Sequence, residues 1–176
     1  MLNLTAPQKI ATVQYNRSAC VWQVLNGKVT SFPAGKAGQR QAQLYALEHD
    51  RPDLAAELHA LLQDITALAP TRLLDVPGLT DRAIKAAYII RDGKLLPAVP
   101  FSDPGGCMNE IARAQGSESL PYIITYEDDA CFCDCQDFLS GDAPFLPTGQ
   151  RACKHILAAL MSEALQSDAE PVQIDF

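Results

Sequence analysis

Four soft metal ligands gathered in one short stretch constrain this chain more than anything else in it. The run Cys131-Phe132-Cys133-Asp134-Cys135-Gln136-Asp137-Phe138 is answered by Cys153-Lys154-His155. The alternating cysteines offer a Cys-x-Cys pair, either Cys131 with Cys133 or Cys133 with Cys135. Cys153 and His155 form a Cys-x-His pair after a polar loop that holds Gly141, Pro144, Pro147 and Gly149. Three thiolates and one imidazole make a closed tetrahedral set for Zn2+ with no open position, the pattern of a structural site. The extended run Tyr122 to Thr125 predicts a strand leading into the pair, and residues two apart on a strand face the same side. After His155, the residues Ile156, Leu157, Leu160, Met161 and Ala164 recur with helical period. Cys153 then falls near a helix N-terminus, where partial positive charge favours a thiolate.

Cys-x-Cys, a variable loop, Cys-x-His and then an apolar helix resembles the signature of the SWIM zinc finger. The aromatic-rich strand Tyr122-Ile123-Ile124-Thr125-Tyr126 is similar to the one that precedes that family's first pair. The run Cys153-Lys154-His155-Ile156-Leu157-Ala158 is similar to its closing segment. The resemblance covers about residues 107–165. It selects Cys133 and Cys135, because only that register puts Asp137-Phe138 where the family has them. The zinc ligands it implies are therefore Cys133, Cys135, Cys153 and His155, with Cys131 a spare thiol on the same strand face. It also implies a zinc-stabilised β-hairpin followed by a helix, and either DNA or a protein as the bound partner.

Charge bears on that choice. The net charge of −7 is unevenly spread. Residues 1–100 carry 11 Lys and Arg against 8 Asp and Glu, whereas residues 101–176 carry 3 against 13. Between Glu118 and Asp142 there is no Lys or Arg, and only Arg113, Arg151 and Lys154 lie nearby. Sequence-independent DNA affinity comes from cations that neutralise phosphates, so the metal-binding segment is a poor phosphate binder over most of its surface. Six cysteines are too few and too clustered for a disulfide scaffold, which points to a reducing, cytoplasmic setting. No run is long enough to span a membrane, and the N-terminus lacks the pattern of a secretory signal.

The rest of the chain reads as α+β. Residues 1–9 read as a loose arm. Ala19 to Phe32 predicts a β-hairpin turning at Asn26-Gly27, with Trp22 packing into a core. A helix over Lys36 to Glu48 follows, and its start, Gly35-Lys36-Ala37-Gly38, lacks the ending of a phosphate loop. A second helix restarts at Pro52, capped by Asp50, with the stripe Leu54, Leu58, Leu61, Leu62 and Ile65. His49 and His59 have no cysteine near them and read as surface or packing residues. Residues 71–88 resemble a helix-hairpin-helix element through Leu73-Leu74-Asp75-Val76-Pro77-Gly78-Leu79-Thr80, with a helix expected from Asp81. Thr80 replaces the family's second hairpin glycine, and the alternative is a Pro-Gly turn before an ordinary helix. Arg82, Lys85 and Arg91 make this the most basic stretch.

These readings give an αβ unit at 10–68, a helical connector and linker at 69–106, a zinc module at 107–165 and a disordered acidic tail at 166–176. No catalytic set is visible, since a closed zinc leaves no place for substrate and the well-placed histidine is spent on the metal. The function expected is that of a non-enzymatic, zinc-binding interaction module that works through a protein partner in a nucleic-acid-processing assembly. No membrane partner and no small-molecule substrate are expected. The first alternative is direct DNA binding through Arg82, Lys85, Arg91 and Lys154. The second is a thiol-based redox protein using Cys131 or Cys107.

Overall fold

The structure is a computed structural model that describes residues 10–69, 74–116 and 119–167. The N-terminal arm, part of the helix-hairpin-helix-like stretch and the tail from residue 168 lie outside those residues. The chain divides into two compact units, Met1–Ala56 and Glu57–Phe176, and each is mixed α and β.

The first unit is a three-stranded antiparallel meander covered by a helix. Strands β1 (Thr12–Asn16), β2 (Val21–Leu25) and β3 (Val29–Phe32) pair in the order β1-β2-β3. The Asn26-Gly27 signal holds, but the loop is one residue longer than a two-residue turn. Leu25 pairs with Val29, which leaves Asn26, Gly27 and Lys28 to make the reversal. Helix α1 (Gly35–Asp50) packs on this sheet and buries Gly38, Ala42 and Ala46, a small-residue row at helical spacing, together with Leu47. Val24, Ala42 and Ala46 have no exposed surface, and Val13, Trp22 and Phe32 pack around them. The Asp50 carboxylate accepts the Ala11 backbone N–H at 3.0 Å with both oxygens. That contact closes the first strand onto the end of α1.

Helix α2 (Pro52–Leu68) contains the division between the units; Leu54, Leu58 and Ile65 are its fully buried large side chains.

In the second unit, α3 (Val76–Arg91) departs from expectation at its start. Pro77, Gly78, Leu79 and Thr80 form no hairpin; they are the first turns of the helix. Proline suits this position because its missing N–H would be unpaired there anyway. Asp75 is the N-cap and accepts the Gly78 N–H at 3.0 Å, while its carbonyl accepts the Leu79 N–H at 2.8 Å. The Gly78 and Leu79 amides are therefore both taken within the start of the helix.

A four-stranded antiparallel sheet follows, β4 (Leu95–Pro97), β5 (Glu110–Ala114), β6 (Tyr122–Glu127) and β7 (Ala130–Cys133), in the order β4-β5-β6-β7. The short α4 (Gln136–Leu139) leaves β7, and α5 (Lys154–Ser167) closes the unit. Helix α5 packs on β5, β6 and β7, and α3 packs along α5. Sandwiched this way, α5 buries His155 to Ala159 without interruption, where an amphipathic stripe was expected. The sequence-derived connector thus contributes its helix to the same compact unit as the Cys/His pairs.

Gly38 provides a test of the first unit. A Cβ there would overlap the Pro33 carbonyl, a backbone group that cannot swing aside. Gly38→Ala is expected to cost about 1–3 kcal/mol by overpacking, although alanine is the better helix former. Urea unfolding of the full chain should show a lowered midpoint at unchanged slope.

Candidate metal centre

The two ligand pairs reach one point from different kinds of backbone. Cys133 is the last residue of β7, opposite Ile124. Cys135 has left the strand and is the N-cap of α4, with φ −71° and ψ 153°. This refines the expectation that both cysteines sit on one strand. A straight strand would space them by about 7 Å, wider than the edge of roughly 3.8 Å that zinc–sulfur bonds of this length subtend. The turn into α4 removes that mismatch. Cys153 immediately precedes α5, and its carbonyl accepts the Leu157 N–H at 3.1 Å. His155 then points from the first turn of α5 toward the sheet, where the Tyr122 ring lies 4.7 Å from its own.

One ligand atom from each of Cys133, Cys135, Cys153 and His155 lies within 4.8 Å of every other, and all four residues are buried. The Cys133 Sγ is 3.7 Å from His155 Nδ1. That matches the sulfur–nitrogen edge of a zinc tetrahedron, about 3.6 Å for ordinary bond lengths. His155 is only 1% exposed, and its Nε2 is buried without a hydrogen-bond partner. A metal bound at Nδ1, the nitrogen that faces Cys133, would pair that atom and leave Nε2 as it is. The thiols interact strongly with one another. Hydrogen bonds from Cys133 and Cys153 hold the Cys135 thiol far below the ordinary range, and the bond to Cys135 pushes Cys133 far above it, with burial adding to the rise. Three sulfurs this close cannot all be anions unless a cation joins them, which Zn2+ supplies.

Cys131 lies on the same face of β7, opposite Tyr126, and is 3% exposed. It stands outside the ligand group, one strand repeat further from the shared point. Burial pushes its thiol up, so it remains protonated. No disulfide joins any of the six cysteines.

The cations marked in the sequence stand in different surroundings. Arg82 is bound to Asp137 through two hydrogen bonds, Nε to Oδ2 at 3.0 Å and Nη2 to Oδ1 at 2.6 Å. Arg91 is 10% exposed, pairs with Asp92 at 2.8 Å and lies over the Tyr88 ring at 4.0 Å. Lys85 is exposed on α3, and Lys154, the first residue of α5, is partly exposed. Arg113 pairs with Glu110 at 2.6 Å, and Arg151 lies 5.1 Å from the Phe145 ring centroid. Phe145 itself is half exposed, and the loop before Cys153 buries Ala143 and Leu146. The Arg82–Asp137 pair joins residues 55 apart in sequence, and no local pattern could have shown it.

Comparison with known proteins agrees with this geometry. Residues 122–163 match the family model of the SWIM zinc finger. The matched segment holds all four ligand residues. No curated protein and no solved structure matches the chain.

Ligand substitutions separate the quartet from the spare thiol. The purified wild type should carry one zinc per chain, with zinc–sulfur distances of about 2.3 Å by X-ray absorption. Cys131→Ala should keep that metal, whereas Cys135→Ala should lose it and unfold the second unit, since metal binding and folding are coupled. Metal content by mass spectrometry reads the first result and circular dichroism the second.

Proposed function

We propose that this chain is a non-enzymatic, zinc-stabilised interaction module that engages a protein partner within a nucleic-acid-processing assembly in a reducing, cytoplasmic setting. The observation that carries the reading is the face of the four-stranded sheet turned away from α5. There Phe132 on β7 is 44% exposed and lies across from Thr125, with Ile123 on the diagonal. The Phe138 ring meets Phe132 edge-on at 6.1 Å, and the neighbouring Leu139 is 68% exposed. Glu127 shares the alternating face with Phe132, and Asp128 and Asp129 form the turn between the strands. An uncovered aromatic centre with an acidic rim suits a protein segment carrying apolar and basic residues. It repels a phosphate backbone. The arginines that could have offset that charge are already held by Asp137, Asp92 and Glu110.

The nucleic-acid setting rests on the SWIM match, a family to which both DNA and protein binding have been attributed. The closed ligand set supports a structural metal, because it leaves no position for substrate or water. A buried, protonated Cys131 is a poor nucleophile, which weighs against a redox role. Among the described residues no helix is long and apolar enough to cross a membrane.

Two measurements on the zinc-loaded full chain test the reading. Titration of fluorescent single-stranded and duplex oligonucleotides at several salt concentrations should show no salt-dependent binding. Affinity purification from the native host should recover a protein whose binding falls about tenfold or more in Phe132→Ser, the scale of an interface hot spot. DNA binding that weakens with salt and is lost in Lys85→Ala would favour the direct DNA reading instead.

A further inference from the structure

Arg82 precedes the matched SWIM segment and belongs to α3, yet its guanidinium reaches the metal centre's support. Beyond the two bonds to Asp137, its Nη2 donates to the Asp142 carbonyl at 3.2 Å, and its Nη1 donates to the Gly78 carbonyl at 3.4 Å within α3. Asp137 lies in the first turn of α4, two residues past the ligand Cys135, and Asp142 lies just beyond its end. One planar group therefore spans α4 and ties it to α3. The fork geometry is what an arginine offers a carboxylate and a lysine does not. The side chains are 21% and 33% exposed, so solvent screens the pair only in part.

The charge around the centre adds a second reason for a cation here. Zn2+ with three thiolates and a neutral imidazole carries one net negative charge. The Asp137 carboxylate, so close in sequence to Cys135, would add to it. Arg82 neutralises that carboxylate. Its own proton is held more tightly through the hydrogen bonds to Asp137, with smaller contributions from the charges of Asp137, Asp75 and Cys153.

We propose that Arg82 is a positioning residue of the zinc site, fixing α4 and hence Cys135 through Asp137 while offsetting the negative charge of the thiolate-bound metal. Groups in this supporting role set metal affinity by holding the ligands in place. The proposal rests on the zinc site and not on the identity of the partner.

The test uses the full chain as wild type, Arg82→Ala, Arg82→Lys, Asp137→Asn, the Arg82→Ala/Asp137→Asn double variant and, as a packing control, Ile84→Ala. Ile84 is a buried residue of α3 that takes no part in the Arg82 contacts. Zinc affinity is read by competition with a chromophoric chelator, and ligand geometry by the visible bands of the cobalt-substituted protein. Arg82→Ala should lose about 10–100-fold in zinc affinity. Arg82→Lys, which keeps the charge without the fork, should fall between it and the wild type. The double variant should be no weaker than Arg82→Ala, because the two groups act as one contact. Ile84→Ala should lower thermal stability with a much smaller change in affinity. Wild-type affinity in Arg82→Ala would overturn the proposal, as would an equal loss in Ile84→Ala at matched stability. If Arg82→Ala does not accumulate as folded protein, wild-type affinity in Arg82→Lys and Asp137→Asn together would overturn it. Absence of tetrahedral cobalt bands in the wild type would overturn both the zinc site and this role for Arg82.

Discussion

Everything in the second unit depends on bringing three sulfurs and one imidazole to a single point inside the protein. Thiolates repel one another, and a low-dielectric interior magnifies that repulsion. The fold manages it by using three backbone arrangements at once: the end of β7, the cap of α4 and the start of α5. Each leaves its ligand on a short, rigid approach. A bound cation converts a set of mutually repelling groups into a cross-link that joins strand to helix. The same cross-link explains why α5 tolerates burial on nearly every side. A helix held between a sheet and α3 needs a fixed starting point, and Cys153 and His155 supply it in its first turn.

The parts legible in the sequence were those encoded by local spacing. The quartet could be read because soft ligands in Cys-x-Cys and Cys-x-His pairs have few other uses, while the choice of Cys135 over Cys131 came from the resemblance to the SWIM finger, through the place of Asp137-Phe138. Helices α1 and α2 were visible from their periodicity. Strand β1 was missed: Thr12 to Asn16 alternates, but Thr12, Gln14 and Tyr15 are exposed and only Val13 and Asn16 are half-buried, so the apolar signal is thin. The start of α3 was misread because Pro-Gly usually signals a break. Here proline occupies the first turn, where its geometry suits a helix. Gly78 leaves room for the capping Asp75 carboxylate, which any Cβ would strike.

The charges show most clearly where sequence reading stops. Arg82, Arg91 and Arg113 each read as cations available to an anionic partner. In the folded chain each is held by a carboxylate of this same protein, from a neighbouring residue for Arg91, three residues away for Arg113 and 55 away for Arg82. A guanidinium already bound to a carboxylate gains little by exchanging it for a phosphate, because the existing contact must be broken first. Net positive charge in a segment therefore overstates its capacity for nucleic acid whenever the acids that consume it lie elsewhere in the chain.

The same pairing changes what the zinc-binding motif delimits. The family match spans the ligands and the elements that carry them, residues 122–163. Yet α5 buries its far side against α3, and the Asp137 carboxylate beside the ligand pair finds its counter-charge on α3 as well. A motif is recognised by residues that touch the metal or set their spacing. Stability also requires cover for the apolar back of the helix and neutralisation of charges that the ligands bring with them. Those tasks fall to whatever element happens to pack there, and their residues share no spacing with the motif. In this chain that element is α3, so the physical zinc module begins earlier than its signature.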